Sequence, residues 1–110
     1  MDKVIFNSYL FEGYTINLGN GKLLVIKAKH GALVCGYINM ETAEKLGDAV
    51  AMVTGVNSYD DMLNAKVKKV SSAAAKLGIC EGMSGSDALS HLDQLLDIKE
   101  NEKQEISIIK

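Results

Sequence analysis

The chain has 110 residues, a formal net charge of −2 and 47% hydrophobic residues, which is the composition of one globular domain. All 12 basic residues are lysine, and a near-neutral chain without arginine is a poor candidate for nucleic-acid binding, which needs a basic surface. The two cysteines lie far apart and the sequence shows neither a signal peptide nor a long apolar run, so we expect a soluble, cytoplasmic protein with no membrane partner.

The N-terminal third predicts an antiparallel β meander. Residues 3–11 alternate as a strand does, Gly13 suggests a bulge or bend, and residues 14–18 resume the strand. Gly19-Asn20-Gly21 then predicts a hairpin turn. Four aromatic residues lie in this segment, Phe6, Tyr9, Phe11 and Tyr14. They either pack the sheet or contribute to a subunit interface, where Tyr and Phe are enriched.

Residues 22–38 predict the central hairpin around which the chain is organised. Its two strands are rich in β-forming residues, and His30-Gly31 can supply the positive φ of a tight turn. Apolar residues are adjacent in both strands, so we expect both faces of the hairpin to be covered. Helices can cover one face, and the other needs more chain or another subunit.

After Ile38 the hydrophobic period becomes helical. Asn39 is a good N-cap, and the helix that follows ends at Gly47. Residues 49–53 are apolar throughout, which is typical of a strand buried on both faces. The link between the hairpin and this strand is long enough for a βαβ crossover, which predicts a mixed sheet.

The remaining sequence predicts three helices. Ser58 and Asp61 fit a capping box for a short helix, and a longer helix is expected from about Lys66. The buried stripe of the longer helix is Val67, Val70, Ala74 and Leu77. Ser84 and Asp87 fit a second capping box, which begins the last helix.

Together these elements predict an α+β fold, with an N-terminal antiparallel β meander in a mixed sheet that is packed by C-terminal helices. One domain is expected to span residues 1–97. Residues 98–110 form a charged tail that is either disordered or ends in an edge strand.

Five pieces of sequence in fixed order carry a resemblance to a known family. They are Cys35-Gly36-Tyr37-Ile38-Asn39, Glu44-Lys45-Leu46-Gly47-Asp48, Gly55-Val56, Asp60-Asp61-Met62-Leu63, and Gly82-Met83-Ser84-Gly85 leading to Ala88-Leu89. From about Asn7 to Leu96 the chain resembles the YunC-like family, small bacterial and archaeal proteins of unknown function. The resemblance implies an α+β domain whose N-terminal β region mediates tetramerisation. It implies no activity, so no catalytic residue is carried over.

Cys35 is the candidate catalytic residue. It lies near the end of a central strand, and Gly36 after it lets a ligand or another backbone approach. Two interpretations fit: a nucleophilic or redox-active thiol, or a small buried hydrophobic residue. The sequence places no base or activating charge beside it.

The candidate ligand site combines two loops. Its residues are Gly36, Asn39, Gly82, Met83, Ser84 and Gly85. The second loop is a glycine-flanked helix N-terminus, which either holds an anion through free N–H groups or is a plain cap. Two isolated histidines and two isolated cysteines lack metal-ligand spacing, so no metal site is predicted and no cofactor is identified.

Three function classes remain. The first, which we favour, is a small homo-oligomeric module that binds a small ligand or regulates another process, because glycine-rich loops coincide with the family pieces. The second is an enzyme that uses Cys35. The third is a structural subunit whose surface is its function.

Overall fold

The computed structural model describes residues 1–6 and 9–95, so the predicted domain end at residue 97 and the tail, residues 98–110, lie outside it. One six-stranded sheet holds the strands in chain order. The strands are β1 Asp2–Phe6, β2 Tyr9–Asn17, β3 Lys22–Lys27, β4 Ala32–Val34, β5 Val50–Met52 and β6 Lys69–Val70. The helices are α1 Met40–Leu46, α2 Tyr59–Asn64, α3 Ser72–Lys76 and α4 Gly85–Ser90, which continues into a π-helical turn, His91–Leu95. The fold is α+β, as predicted.

The single strand predicted for residues 3–11 is wrong, because Asp2–Phe6 and Tyr9–Asn17 are two strands that pair antiparallel. The bulge predicted at Gly13 is also wrong, since Gly13 keeps its register opposite Ile26 in β3. A Cβ atom at this position would lie 2.7 Å from the ring of Tyr59. Glycine is therefore required here by the close approach of α2 to the sheet, and not by a bend in the strand.

The central hairpin and the crossover form as predicted. β3 and β4 are antiparallel, β4 and β5 are parallel, and α1 connects the parallel pair, so the sheet is mixed. Asn39 Oδ1 caps α1 by accepting hydrogen bonds from the Glu41 and Thr42 N–H groups. Gly47 ends the helix with a φ of 77°. All three residues of β5 are buried, which confirms the central strand.

In the turn of the central hairpin, glycine at position 31 is needed for a reason other than the predicted positive φ. Gly31 is absent from the glycines that adopt a positive φ. A Cβ atom there would instead collide with the Ala49 carbonyl oxygen and lie 2.7 Å from Leu92 Cδ2. The turn is packed against the end of the chain's last described helix, where His30 N donates a hydrogen bond to the Leu92 carbonyl at 3.0 Å.

The longer helix predicted from Lys66 is wrong in its first half. The segment is extended, β6 pairs antiparallel with β5, and Ser71 N donates to the Val50 carbonyl at 3.0 Å. The predicted stripe is nevertheless inside: Val67, Ala74 and Leu77 are buried and Val70 is half-buried. The free edge of β5 would otherwise leave backbone groups unpaired in a buried place, and this demand outweighs a weak local helix preference.

The two faces of the sheet are covered unequally. The inner face carries Val4, Phe11, Leu24, Ile26, Leu33 and Ala51, which form the main core with residues of α2, α3 and α4. On the outer face, α1 packs a smaller cluster over β4 and β5. The outer face of β1 and β2 carries an exposed patch, the outer patch, consisting of Ile5, Leu10, Tyr14 and Ile16.

The N-terminal aromatic residues divide between these faces. Phe11 is 2% exposed and belongs to the subunit core, so a role in a subunit interface is wrong for this residue. Tyr14 is 38% exposed and belongs to the outer patch. The side chains of Phe6 and Tyr9 lie outside what the structure describes.

Candidate functional site

The candidate site is a cavity of about 420 Å³ at the carboxyl ends of the parallel strands β4 and β5. Three chain segments line it: Asn20, Gly21 and Lys22 around the start of β3, Cys35, Gly36 and Tyr37 after β4, and Gly55, Val56 and Asn57 after β5. Small-molecule sites have volumes of roughly 300–1,000 Å³. In open α/β sheets, ligands bind in the crevice outside the carboxyl ends of the strands. By size and position this cavity is suited to a small molecule.

Cys35 is buried, and its thiol is hydrogen-bonded into the sheet. Sγ accepts a hydrogen bond from Leu24 N at 3.2 Å, and the S–H group faces the Lys22 carbonyl at 3.9 Å. Cys35 N donates to the Leu24 carbonyl at 3.0 Å, as in an ordinary antiparallel pair. The Cys35 carbonyl instead accepts from Ile38 N at 3.2 Å, in the turn that leads to α1. The thiol therefore takes the place of a backbone acceptor where β4 leaves the sheet.

The chemistry of the lining limits what Cys35 can do. Among the described residues that line the cavity, Lys22 is the one charged group, and none is a histidine, an aspartate or a glutamate. A nucleophilic thiol needs a base or a nearby positive charge that stabilises the thiolate. The lining provides the positive charge of Lys22 but no general base, and the hydrogen bonds of the thiol favour the structural interpretation of Cys35.

The structure separates the candidates near β4. Gly36 lines the cavity and is exposed, and a Cβ atom there would meet only Thr54 Cγ2, at an ordinary 3.4 Å. Asn39 does not line the cavity, because its side chain caps α1. Gly36 therefore offers room for a ligand, while Asn39 has a local structural role.

The second candidate loop, residues 82–85, does not line this cavity. The N–H groups of Gly82, Met83 and Gly85 donate to main-chain carbonyls within the subunit at 2.9, 3.3 and 2.8 Å. Ser84 Oγ caps α4, as predicted. A Cβ atom at Gly85 would collide with the Met62 carbonyl, so glycine here lets α4 pack closely on α2. The arrangement is that of a packing junction, and the structure does not bring it together with Cys35 in one cavity.

The loop after β5 is held in place by the start of α2. Ser58 Oγ accepts from Asp61 N at 3.1 Å, and Asp61 Oδ2 accepts from Asn57 N at 3.0 Å. Tyr59 then joins α2 to the N-terminal hairpin, because its hydroxyl donates to Asp2 Oδ2 and accepts from Thr15 Oγ1, both at 2.7 Å. Burial raises the pKa of Tyr59 above its ordinary value, and the Asp2 carboxylate adds to the increase. The loop after β5, which forms one wall of the cavity, is thus held by α2, and α2 is held by the N-terminal strands.

Sequence reasoning missed most of the lining. Tyr37, Gly55 and Val56 lie within the pieces that carry the family resemblance, and this membership is the sequence feature that could have identified them as lining residues. Asn20 and Lys22 gave no local signal, because only the pairing of β3 with β4 brings them beside Cys35.

Over residues 1–6 and 9–95, no group of three or more His, Cys, Asp or Glu side chains is placed to hold a metal ion. The described helices are all too short, or insufficiently apolar, to cross a membrane.

Comparison with known proteins gives the family. Residues 34–92, just over half of the chain, match the model of a domain of unknown function, DUF1805. The chain is 31% identical over 83 residues to the uncharacterized protein YunC of Bacillus subtilis (strain 168), which covers 72% of this chain and 82% of YunC. The chain belongs to this YunC-like family. The predicted resemblance is confirmed.

A solved structure supports the fold of this YunC-like chain. It is similar to the crystal structure of a protein of unknown function from Thermoplasma acidophilum, with a TM-score of 0.78 and 40% sequence identity over 83% of this chain and 89% of the other. Two walls of the cavity, after β4 and after β5, fall within the family match, whereas the wall formed by residues 20–22 lies before it.

Proposed function

We propose that this YunC-like protein is a small homo-oligomeric module that binds a small molecule in the cavity at the carboxyl ends of β4 and β5. The observation that carries the proposal is the cavity itself, which three separate segments build beside the buried sheet. Loops that a rigid scaffold positions are where binding residues concentrate. Of the residues predicted for the ligand site, Gly36 lines this cavity, whereas Asn39 and residues 82–85 do not.

The lining has the mixed character of a binding site. Asn20, Asn57 and Tyr37 provide amide and hydroxyl groups, and Val56 provides apolar surface. A small set of polar groups on a partly apolar surface fixes the orientation of a ligand. The turn that carries Asn20 is closed by a hydrogen bond from Leu18 N to the Gly21 carbonyl at 2.8 Å, so its wall is preorganised.

Binding of a fragment library of mixed charge, followed by backbone amide NMR, tests this function. We expect some fragments to shift the amide signals of Gly21, Gly36 and Gly55 together. Gly36→Leu should abolish the shifts of Gly21 and Gly55, because the added side chain competes for the cavity. Ala75→Leu introduces the same side chain at an exposed position of α3 and should leave binding unchanged. If no fragment shifts these signals, the cavity is not a ligand site.

We also propose that the module is a tetramer assembled through its N-terminal β region. The outer patch supports this, because Ile5, Leu10 and Ile16 are 73%, 61% and 54% exposed on adjacent strands. Soluble proteins seldom leave such an apolar surface uncovered. A row of charges crosses the same face, with Glu12 in register between Lys3 and Lys27. A face that carries both positive and negative charges can pair with a symmetry-related copy of itself.

A further inference from the structure

We infer that the ligand of the cavity is a small organic anion, a carboxylate-bearing molecule held by Lys22 and the amides of Asn20 and Asn57. This inference rests on the proposed function and assigns the chemical class of its ligand. It is carried by the position of Lys22 in the sheet and by the charges of the lining.

The register places Lys22 on the same face of the sheet as Leu24 and Cys35. Lys22 precedes Leu24 by two residues on β3, so the two side chains point to the same face. Cys35 pairs with Leu24 through its N–H group and its thiol and therefore shares that face. Lys22 is half-buried and lines the cavity. Among the lysines of residues 1–6 and 9–95, Lys22 is the one that is half-buried, and the others are exposed.

The surroundings of Lys22 favour a negative ligand. Among the described residues of the lining, no carboxylate is present to neutralise the ammonium group. Asp61 is exposed and does not line the cavity, and its Oδ2 accepts from Asn57 N at 3.0 Å. Charge–charge attraction is stronger in a partly buried site than in bulk water. The formal net charge of the chain is −2, so attraction of an anion is a property of this site and not of the whole molecule.

The remaining lining residues suit an organic ion better than an inorganic one. The side-chain amides of Asn20 and Asn57 can donate hydrogen bonds to carboxylate oxygens. Val56 and the ring of Tyr37 contribute surface that a bare inorganic ion cannot use. The Tyr37 hydroxyl packs over the β2–β3 turn, since a Cβ atom at Gly21 would lie 2.6 Å from it.

Three ring compounds of matched size test the class: benzoate, benzamide and the benzylammonium ion, with inorganic phosphate as a fourth probe. Each is titrated at constant ionic strength, and the amide shifts of Gly21, Gly36 and Gly55 are followed. We expect benzoate to bind about tenfold more tightly than benzamide, because a hydrogen bond to a charged group is the stronger kind. The benzylammonium ion should bind more weakly still.

Lys22→Gln should reduce benzoate affinity to the level of benzamide, while Lys68→Gln removes the same charge from an exposed position outside the cavity and should change nothing. Equal or tighter binding of benzamide or the benzylammonium ion would overturn the anion class and leave the binding module intact. Phosphate binding as tight as that of benzoate would overturn the organic part. If none of the four probes shifts these signals the inference fails, and the fragment library decides separately whether the proposed function fails with it.

Discussion

At the scale of single residues, Cys35 shows how a side chain can complete a β ladder. Its thiol accepts the Leu24 N–H group because the carbonyl of Cys35 has turned away toward α1. Buried N–H groups are nearly always paired, and a missing acceptor exposes the full cost of desolvation. The residue type is thus explained without catalysis, although Cys35 also borders the cavity.

The first prediction concerns this hydrogen bond. Cys35→Ala leaves the buried Leu24 N–H group without its acceptor and should lower the free energy of unfolding by about 1–3 kcal/mol. Cys35→Ser keeps an acceptor at the same position and should lose less. Urea denaturation of the three proteins measures the difference. Equal losses in the two variants would mean that the hydrogen bond contributes nothing to stability.

The second prediction is that Cys35 and Cys80 differ in their reactivity toward an alkylating reagent. Cys80 is exposed and Cys35 is buried and hydrogen-bonded, so the native protein should react with iodoacetamide at Cys80 alone. Cys35 should react only after unfolding. Peptide mass mapping of the alkylated protein reads both sites in one experiment, with Cys80 as the internal control. Faster reaction at Cys35 than at Cys80 would favour an enzyme that uses this thiol.

At the scale of elements, Glu44 joins α1 to α3. Its Oε1 accepts a hydrogen bond from Ser72 N at 2.8 Å, and the hydrogen bonds from Ser72 lower the pKa of Glu44 below its ordinary value. A carboxyl group whose folded-state pKa is lowered stabilises the fold above its unfolded-state pKa. This contribution is lost as the pH falls through the folded-state pKa.

The third prediction concerns this pH-dependent contribution of Glu44 to stability. Glu44→Gln should remove part of the decrease in melting temperature between neutral and acid pH, because the variant no longer titrates at this position. Glu41→Gln is the matched control, because it removes an exposed carboxylate from the same helix and leaves the hydrogen bond between Ser72 and Glu44 intact. Thermal melts of the three proteins across this pH range measure the effect. If the melting temperatures of Glu44→Gln and the parent depend on pH in the same way, the lowered pKa of Glu44 does not contribute to stability.

The fourth prediction concerns β5, whose two faces belong to different clusters. Ala51 lies in the main core, and Val50 lies in the smaller cluster beneath α1. Val50→Asp and Ala51→Asp should both destabilise strongly, since an unpaired buried charge is costly and a domain has only about 5–15 kcal/mol of stability. Ala51→Asp should be the worse, because Ala51 is 0% exposed and Val50 is 7% exposed.

Circular dichroism melts test these variants against Thr54→Asp, which places the same charge at an exposed position just beyond β5. The control should melt near the parent. If either buried variant also melts like the parent, the face that carries it is open to water.

At the scale of the whole molecule, the outer patch yields a prediction about assembly. Leu10→Lys should lower the mass measured by light scattering from that of a tetramer, because a charge then interrupts the proposed interface. Leu46→Lys makes the same change on α1, where Leu46 is 71% exposed, and should leave the mass unchanged. A monomer mass for the parent would contradict the proposal, and a dimer would keep an interface but not the tetramer.

The sequence by itself determined the features whose signals are local. The caps at Asn39, Ser58 and Ser84 form where their residue types predict them, because a cap needs only the next few residues. β5 is buried on both faces as its uninterrupted apolar run indicates. The parallel crossover followed from these two elements and the short link between them.

The tertiary structure decided whatever depends on a partner distant in sequence. Val4 and Phe11 both face the main core because β1 and β2 pair antiparallel, and the alternation of residues 3–11 does not reveal this pairing. The extended segment after Lys66 was set by the free edge of β5. The cavity beside Cys35 exists because the register of β3 on β4 brings residues 20–22 to it. Such pairings depend on backbone hydrogen bonds across the sheet, which leave no periodic signal in the sequence of either partner.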